Sequence, residues 1–135
     1  MKIINGQWRK ETHYPQQAGH PLCLLRVPHL RCHRQSAEKA LRTAYNGTKA
    51  TFNTPWGKRV IDSYSKNVIR EAKYGYQGLS EFIQQEINKD VWILNNTSVK
   101  RIEWHFYWSS VSNSGGPSGP LLKELARCGI KVIFH

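Results

Sequence analysis

A chain of 135 residues with 39% hydrophobic and 11% aromatic residues is long enough to bury one real core, which predicts a folded globule rather than a disordered chain. No apolar run approaches the roughly 18 residues that span a bilayer, and the opening "MKIINGQWRKETHYP" has no apolar stretch of the signal-peptide kind, so nothing in this chain itself directs export. Lys and Arg total 20 against nine Asp and Glu, and the excess is one-sided: residues 1–70 hold 13 basic and three acidic residues, residues 71–135 seven and six. A basic half beside a balanced half points to a polyanionic partner, above all nucleic acid.

Residues 1–35 carry three prolines and scattered basic residues without a clean period, and read as an irregular basic lead-in segment. Cys23, Cys32 and Cys128 are an odd number and set no disulfide framework, which fits a reducing working compartment. Cys23 and Cys32 lie among His20, His29 and His33, residue types that can ligate zinc, although His29-x3-His33 has no second half of the Cys-x2-Cys or His-x3-His kind to complete it. Buried thiols and surface histidines account for that stretch more simply.

From Ser36 the pattern sharpens. In "SAEKALRTAYNG" Ser36 can cap a helix, Ala37, Ala40, Leu41 and Ala44 form its apolar stripe, and Gly47 can end it. "TKATFNTPWG" predicts a short strand closed by the Pro55–Gly57 turn. Arg59 to Tyr64 and Val68 to Tyr74 predict two strands joined by the polar turn "SKN". Leu79, Phe82, Ile83, Ile87, Val91 and Leu94 then recur near a 3.6 period behind Ser80, a second helix. "KRIEWHFYW" alternates, with Ile102, Trp104, Phe106 and Trp108 on a core face and Arg101, Glu103, His105 and Tyr107 on a polar outer face. A Gly- and Ser-rich loop, a helix opened by Pro120 and a buried closing strand "IKVIF" complete the chain. The fold class expected is α/β (α+β), a central mixed sheet flanked by helices, with a boundary between a 1–35 lead-in and a 36–135 domain.

The chemistry centres on "RVIDSYSKNVIREAKYG". The chain has two aspartates, and its one Glu-x-Lys lies in a strand-like run here. Side chains two apart on a strand share a face, so Glu71 and Lys73 project together, and a hairpin lays the strand of Asp62 beside them. Two neighbouring carboxylates repel unless a cation intervenes, and Mg2+ prefers one or two carboxylates with waters and phosphate oxygens. A nearby lysine can orient a water or hold a phosphate. A solvated surface Glu–Lys pair would have the same spacing.

Asp62, eight intervening residues, then Glu71-Ala72-Lys73 resembles the Asp…(Asp/Glu)-x-Lys signature of the restriction-endonuclease-like nuclease superfamily. "TPWGKRVID", "REAKYGYQGLSEFIQQEINKD", "RIEWHF" and "GGPSGPLLKELARCGIKVIFH" are similar to blocks of its toxin domains, found at the C-termini of bacterial polymorphic and contact-dependent toxins. The resemblance covers residues 36–135 and implies a restriction-endonuclease-like core. It implies that Asp62 and Glu71 bind Mg2+ (or Mn2+) with the Ala72 carbonyl, that Lys73 orients or activates the attacking water, and that Glu38 adds a metal or water contact. Ile61 stands where the signature has proline, and Glu86 where the helix pattern has Gln, which sets that helix apart from the expected site.

The activity implied is Mg2+-dependent phosphodiester hydrolysis, on DNA ahead of RNA, with Lys58, Arg59, Lys66 and Arg70 as the phosphate-binding residues. A ribonuclease or transfer-RNA nuclease of the same fold, and a non-catalytic basic nucleic-acid-binding module, are the alternatives. The implied partner is a cognate acidic immunity protein. The implied setting is delivery within a larger toxin, with action in the target-cell cytoplasm.

Overall fold

A computed structural model describes residues 3–4, 7–8 and 30–135. Two short strands, β1 (Ile3–Ile4) and β2 (Gln7–Trp8), pair antiparallel. Helix α1 (Leu30–Tyr45) then leads into an antiparallel meander of β3 (Thr48–Thr54), β4 (Gly57–Ser65) and β5 (Val68–Tyr74). After β6 (Tyr76–Gln77) come α2 (Glu81–Asn96), β7 (Arg101–Tyr107), β8 (Gly116–Pro117), α3 (Gly119–Arg127) and β9 (Lys131–Phe134). The main sheet runs β3-β4-β5-β7-β9, antiparallel across the meander and parallel from β5 through β7 to β9. The fold is α+β, with a mixed five-stranded sheet and three helices among the described residues. None of these helices is long and apolar enough to cross a membrane.

Local chemistry accounts for most boundaries. Lys66 and Asn67 both take positive φ, the conformation of a two-residue type I′ turn, and so join β4 to β5 as a tight hairpin. Ser80 caps α2 by accepting from the Ile83 N–H, and Ser118 does the same for Leu121 at the head of α3. Helix α1 starts at Leu30, ahead of the expected Ser36 cap, so the boundary expected at residue 36 falls inside a helix. Its far end follows a Schellman pattern: Asn46 has φ 53°, and the Gly47 N–H donates to the Arg42 carbonyl at 2.9 Å.

One face of the sheet packs against α2 and α3. Ile61, Ile69, Ile102, Trp104 and Phe106 meet Ile83, Ile87 and Ile93 of α2 and Leu121 and Leu125 of α3 there. Each such aliphatic residue contributes about 1.5–3 kcal/mol on burial. Helix α1 covers the other face with Ala37 and Leu41, while Tyr45 takes the Arg70 guanidinium over its ring at 3.7 Å. The polar outer face expected on β7 is therefore not outer. Glu103 and His105 are buried beneath α1, where Glu103 accepts from Arg70 Nε at 2.9 Å and from Arg101 Nε at 2.7 Å. Burial lowers the His105 pKa, against the opposing pull of Glu103. Its Nε2 donates to Glu103 Oε1 at 2.9 Å, and its Nδ1 shares a hydrogen bond of 2.7 Å with His135 Nε2. Strand β9, expected to be buried, is instead the sheet edge, with Lys131 and Phe134 exposed.

The detail that matters most is a β-bulge. Thr48 pairs with Tyr64 and Ala50 with Ile61, so two steps along β3 match three along β4, and the extra residue falls at Asp62–Ser63. Bulges break the two-residue alternation and re-aim side chains. Here Arg59 and Ile61 point into the α2 face, and Asp62 and Ser63 are buried as well. Gly47 lies directly against the bulge. A Cβ at Gly47 would overlap Ser63 Oγ and stand 3.2 Å from Ser63 Cβ and 3.3 Å from the Tyr64 nitrogen. Gly47→Ala is therefore expected to cost about 1–3 kcal/mol in urea unfolding, with most of the loss recovered by adding Ser63→Ala. An unchanged midpoint in the single variant would show that this helix end does not press on the bulge.

Candidate active site

Strands β4 and β5 begin as a hairpin and then separate. Their pairing runs Ser65–Val68, Tyr64–Ile69 and Ser63–Arg70, while β4 goes on pairing with β3 and β5 with β7. Where the ladder stops, Asp62 Oδ2 accepts from the Ala72 N–H at 2.8 Å and so satisfies a donor that β4 no longer reaches. A cleft of about 440 Å³ opens beyond this point, and Asp62, Glu71, Ala72 and Lys73 line it with Glu38 of α1 and Glu86 of α2. The structure thus gathers Asp62, Glu71, Lys73 and Glu38 at one place.

The remaining expected residues divide. Lys58 is exposed and lines an adjoining cleft of about 390 Å³ with Lys49 and Lys89. Lys66 is exposed at the tip of the β4–β5 hairpin, where the two strands are joined, and lines neither cleft. Arg59 and Arg70, expected to hold phosphate, are 3% and 7% exposed, with their charges committed to internal acids. Arg59 still lines the adjoining cleft, but a buried paired guanidinium presents little to a phosphate. Of the histidine and cysteine residues weighed for zinc, His20, Cys23 and His29 lie outside the described residues, as does the side chain of Cys32. His33 is buried and stacks on Tyr74 at 5.7 Å.

Arg59 organises the floor of the cleft. Its Nε donates to Asp90 Oδ1 at 2.8 Å and its Nη2 to Asp90 Oδ2 at 3.3 Å. Nη1 reaches Glu86 Oε2 at 3.3 Å and Glu71 Oε1 at 3.6 Å. Asp90 also accepts from the Trp104 indole at 2.9 Å. Lys73 Nζ donates to Glu86 Oε1 at 2.6 Å, stands 3.4 Å from Glu71 Oε2 and lies over the Trp104 ring at 4.7 Å. Burial alone would lower the Lys73 pKa, but Glu71 and Glu86 outweigh it and keep the ammonium charged.

Glu86 was set aside in the sequence and proves to belong here, holding both cations. The signal was present: Glu86 and Asp90 are four apart, on one face of a helix, in a chain poor in acids. Two cations thus face Asp62, Glu71, Glu86 and Asp90, a surplus of carboxylates. Glu71 carries the consequence. It is buried, its Oε1 has no hydrogen bond, and burial, with Asp62 and Glu86 acting against Arg59 and Lys73, pushes its pKa up to about 8. Burial and Asp62 also raise the Glu38 pKa.

Among the described residues no three His, Cys, Asp or Glu side chains are gathered into a ready-made metal site. The acids of the cleft nevertheless fit a hard divalent cation in type, and the unbonded buried oxygen of Glu71 and its raised pKa are the features such an ion would relieve. No protein-family model, curated protein or solved structure matches the chain.

Two stability effects follow. Arg59→Ala strands Asp90 as an unpaired buried carboxylate and is expected to cost about 3–5 kcal/mol in denaturant unfolding. Glu71→Gln should act in the other direction. Because the folded pKa of Glu71 lies above its ordinary 4.5, its stabilisation is complete below about pH 4.5 and fades as pH rises through about 8. In EDTA the Gln protein, which mimics the protonated acid, should match the parent near pH 4 and exceed it by on the order of a few kcal/mol above pH 8. Equal thermal midpoints at both pH values would rule out a charge penalty at Glu71.

Proposed function

We propose that the chain is a divalent-metal-dependent nuclease of the restriction-endonuclease-like kind. The observation that carries this reading is the parting of β4 from β5, which places Asp62, Glu71 and Lys73 in one cleft with Glu38 and Glu86 from the flanking helices. The order α1, the β3–β4–β5 meander, α2, then β7 parallel to β5 supports it, because that is the core the resemblance implies.

Asp62 and Glu71 would hold a Mg2+ or Mn2+ ion, with the Ala72 carbonyl as a further oxygen. When bound, such an ion supplies Lewis acidity toward a phosphate oxygen and toward water. The chain's own residues do the rest. Asp62 is fixed by the Ala72 N–H, so one of its oxygens is held in place while the other remains available. Lys73, kept cationic by Glu86 and Glu71, donates hydrogen bonds toward the attacked phosphate or the incoming water; as an ammonium it stabilises negative charge rather than removing a proton. Glu38, half-buried on the cleft wall with its pKa raised by burial and Asp62, is placed to take a proton from water. Lys49, Lys58 and Lys89 in the adjoining cleft offer charge to the phosphates on either side of the cut.

DNA is the first substrate of this reading, with RNA, including transfer RNA, as the alternative to test alongside it. The toxin resemblance adds an acidic immunity protein as partner and action in a target-cell cytoplasm after delivery within a larger protein. The +11 net charge suits an acidic partner as it suits phosphate.

The experiment is incubation with plasmid DNA and with total transfer RNA, each in Mg2+ and in EDTA, resolved on one gel. Cleavage is expected in Mg2+ alone. Asp62→Ala and Lys73→Ala, confirmed as folded by circular dichroism, should lower the rate by about 10²- to 10⁴-fold. Parental cleavage rates in both folded variants would remove the assignment.

A further inference from the structure

Phe82 is 69% exposed at the start of α2, although the next residue, Ile83, and Ile87 one turn on are both buried in the core. An aromatic ring in water gains nothing for the fold. Its position is specific. The cleft holding Lys73 and the cleft holding Lys49, Lys58 and Lys89 share five lining residues; four are the carboxylates Glu38, Asp62, Glu71 and Glu86, and the fifth is Phe82. Phe82 is also four residues before Glu86, hence on the same helical face.

A ligand that fits this arrangement has a flat apolar group joined to a chain of anions. The ring meets the flat group, Lys73 and the cation that the acid cluster would hold meet one phosphate, and the three lysines line the adjoining cleft. A nucleotide strand has this composition, and an aromatic ring set in a basic groove is how single strands are held without regard to sequence. A base inside a duplex has both faces covered by its neighbours and cannot stack on a side chain until it is unstacked, whereas an unpaired base can do so directly. Resting on the nuclease reading above, we infer that Phe82 is the stacking platform for an unpaired base next to the cleaved phosphate. The substrate is then a single-stranded or looped segment whose phosphates continue over Lys49, Lys58 and Lys89.

The test uses the full chain in EDTA at about 50 mM salt, with a fluorescein-labelled oligonucleotide of roughly 12 unpaired nucleotides and its blunt duplex followed by anisotropy. Phe82→Ala should weaken binding of the unpaired strand by about 5- to 150-fold, the range for losing one base stack, and leave the duplex nearly unaffected. Phe82→Trp should bind the unpaired strand at least as tightly as the parent. Since Phe82 is exposed, both variants are expected to fold. In Mg2+, cuts in a labelled stem–loop should map to the loop. Unchanged affinity in Phe82→Ala, or equal losses on strand and duplex, overturns the stacking role and leaves Phe82 to a protein partner. Failure of the parent chain both to bind either nucleic acid in EDTA and to cut either in Mg2+ would instead overturn the nuclease reading on which the inference stands.

Discussion

Arg59 reaches from β4 into α2, where Asp90 accepts two of its N–H groups and Glu86 a third. Glu86 in turn fixes Lys73, and Lys73 and Arg59 are the two cations facing Glu71. The order of dependence is therefore from the buried guanidinium outward. Without Arg59 the buried Asp90 would have no counter-charge against the sheet, and Glu86 would be left with Lys73 alone. The pair between Arg59 and Asp90 is also what allows charged strand positions inside an apolar layer of Ile61, Ile87 and Trp104.

The bulge in β4 and the parting of β4 from β5 are the geometric half of the same design. A regular ladder would have continued past Ser63 and left no room between the strands. With the ladder stopped, Asp62 replaces a missing backbone acceptor, and the gap becomes a cleft lined by carboxylates in a protein of net charge +11. On the proposed reading, the acids concentrated at one point of a basic molecule would favour a cation there, and the surrounding lysines an anionic chain over it.

Much of this was legible in the sequence because it is local. The meander, α2 with its Ser80 cap, β7 and α3 behind Pro120 all follow from period, caps and turn residues. The same-face placement of Glu71 and Lys73 follows from strand geometry alone. What escaped depends on contacts far along the chain. Arg59 and Arg70 read as surface cations because their partners, Asp90 and Glu103, lie 31 and 33 residues away. His105 alternates as an outward residue should, yet α1 covers that face. Glu86 looked like a departure from a pattern, although four-residue spacing from Asp90 marked a charged face. The helix at Leu30 begins before its apolar stripe becomes regular, so Ser36 drew the boundary too late.

The turn of Lys66 and Asn67 also bears on how quickly the parts of the cleft come together. A two-residue hairpin closes in about 1–10 μs, so Asp62 and Glu71 become neighbours almost as soon as the chain can bend. The ion pair between Arg59 and Asp90 must wait for a loop of 31 residues to close and for α2 to dock. Until then Asp62 and Glu71 have only the cations of their own strands, Arg59 and Lys73, without Asp90 and Glu86 of α2 to fix those two side chains. The folding nucleus is accordingly better sought in the apolar contacts of Ile69, Ile87 and Ile102 than in the charged hairpin. The cleft is complete only once α2, which supplies Phe82 and Glu86 to its lining, has docked on the sheet.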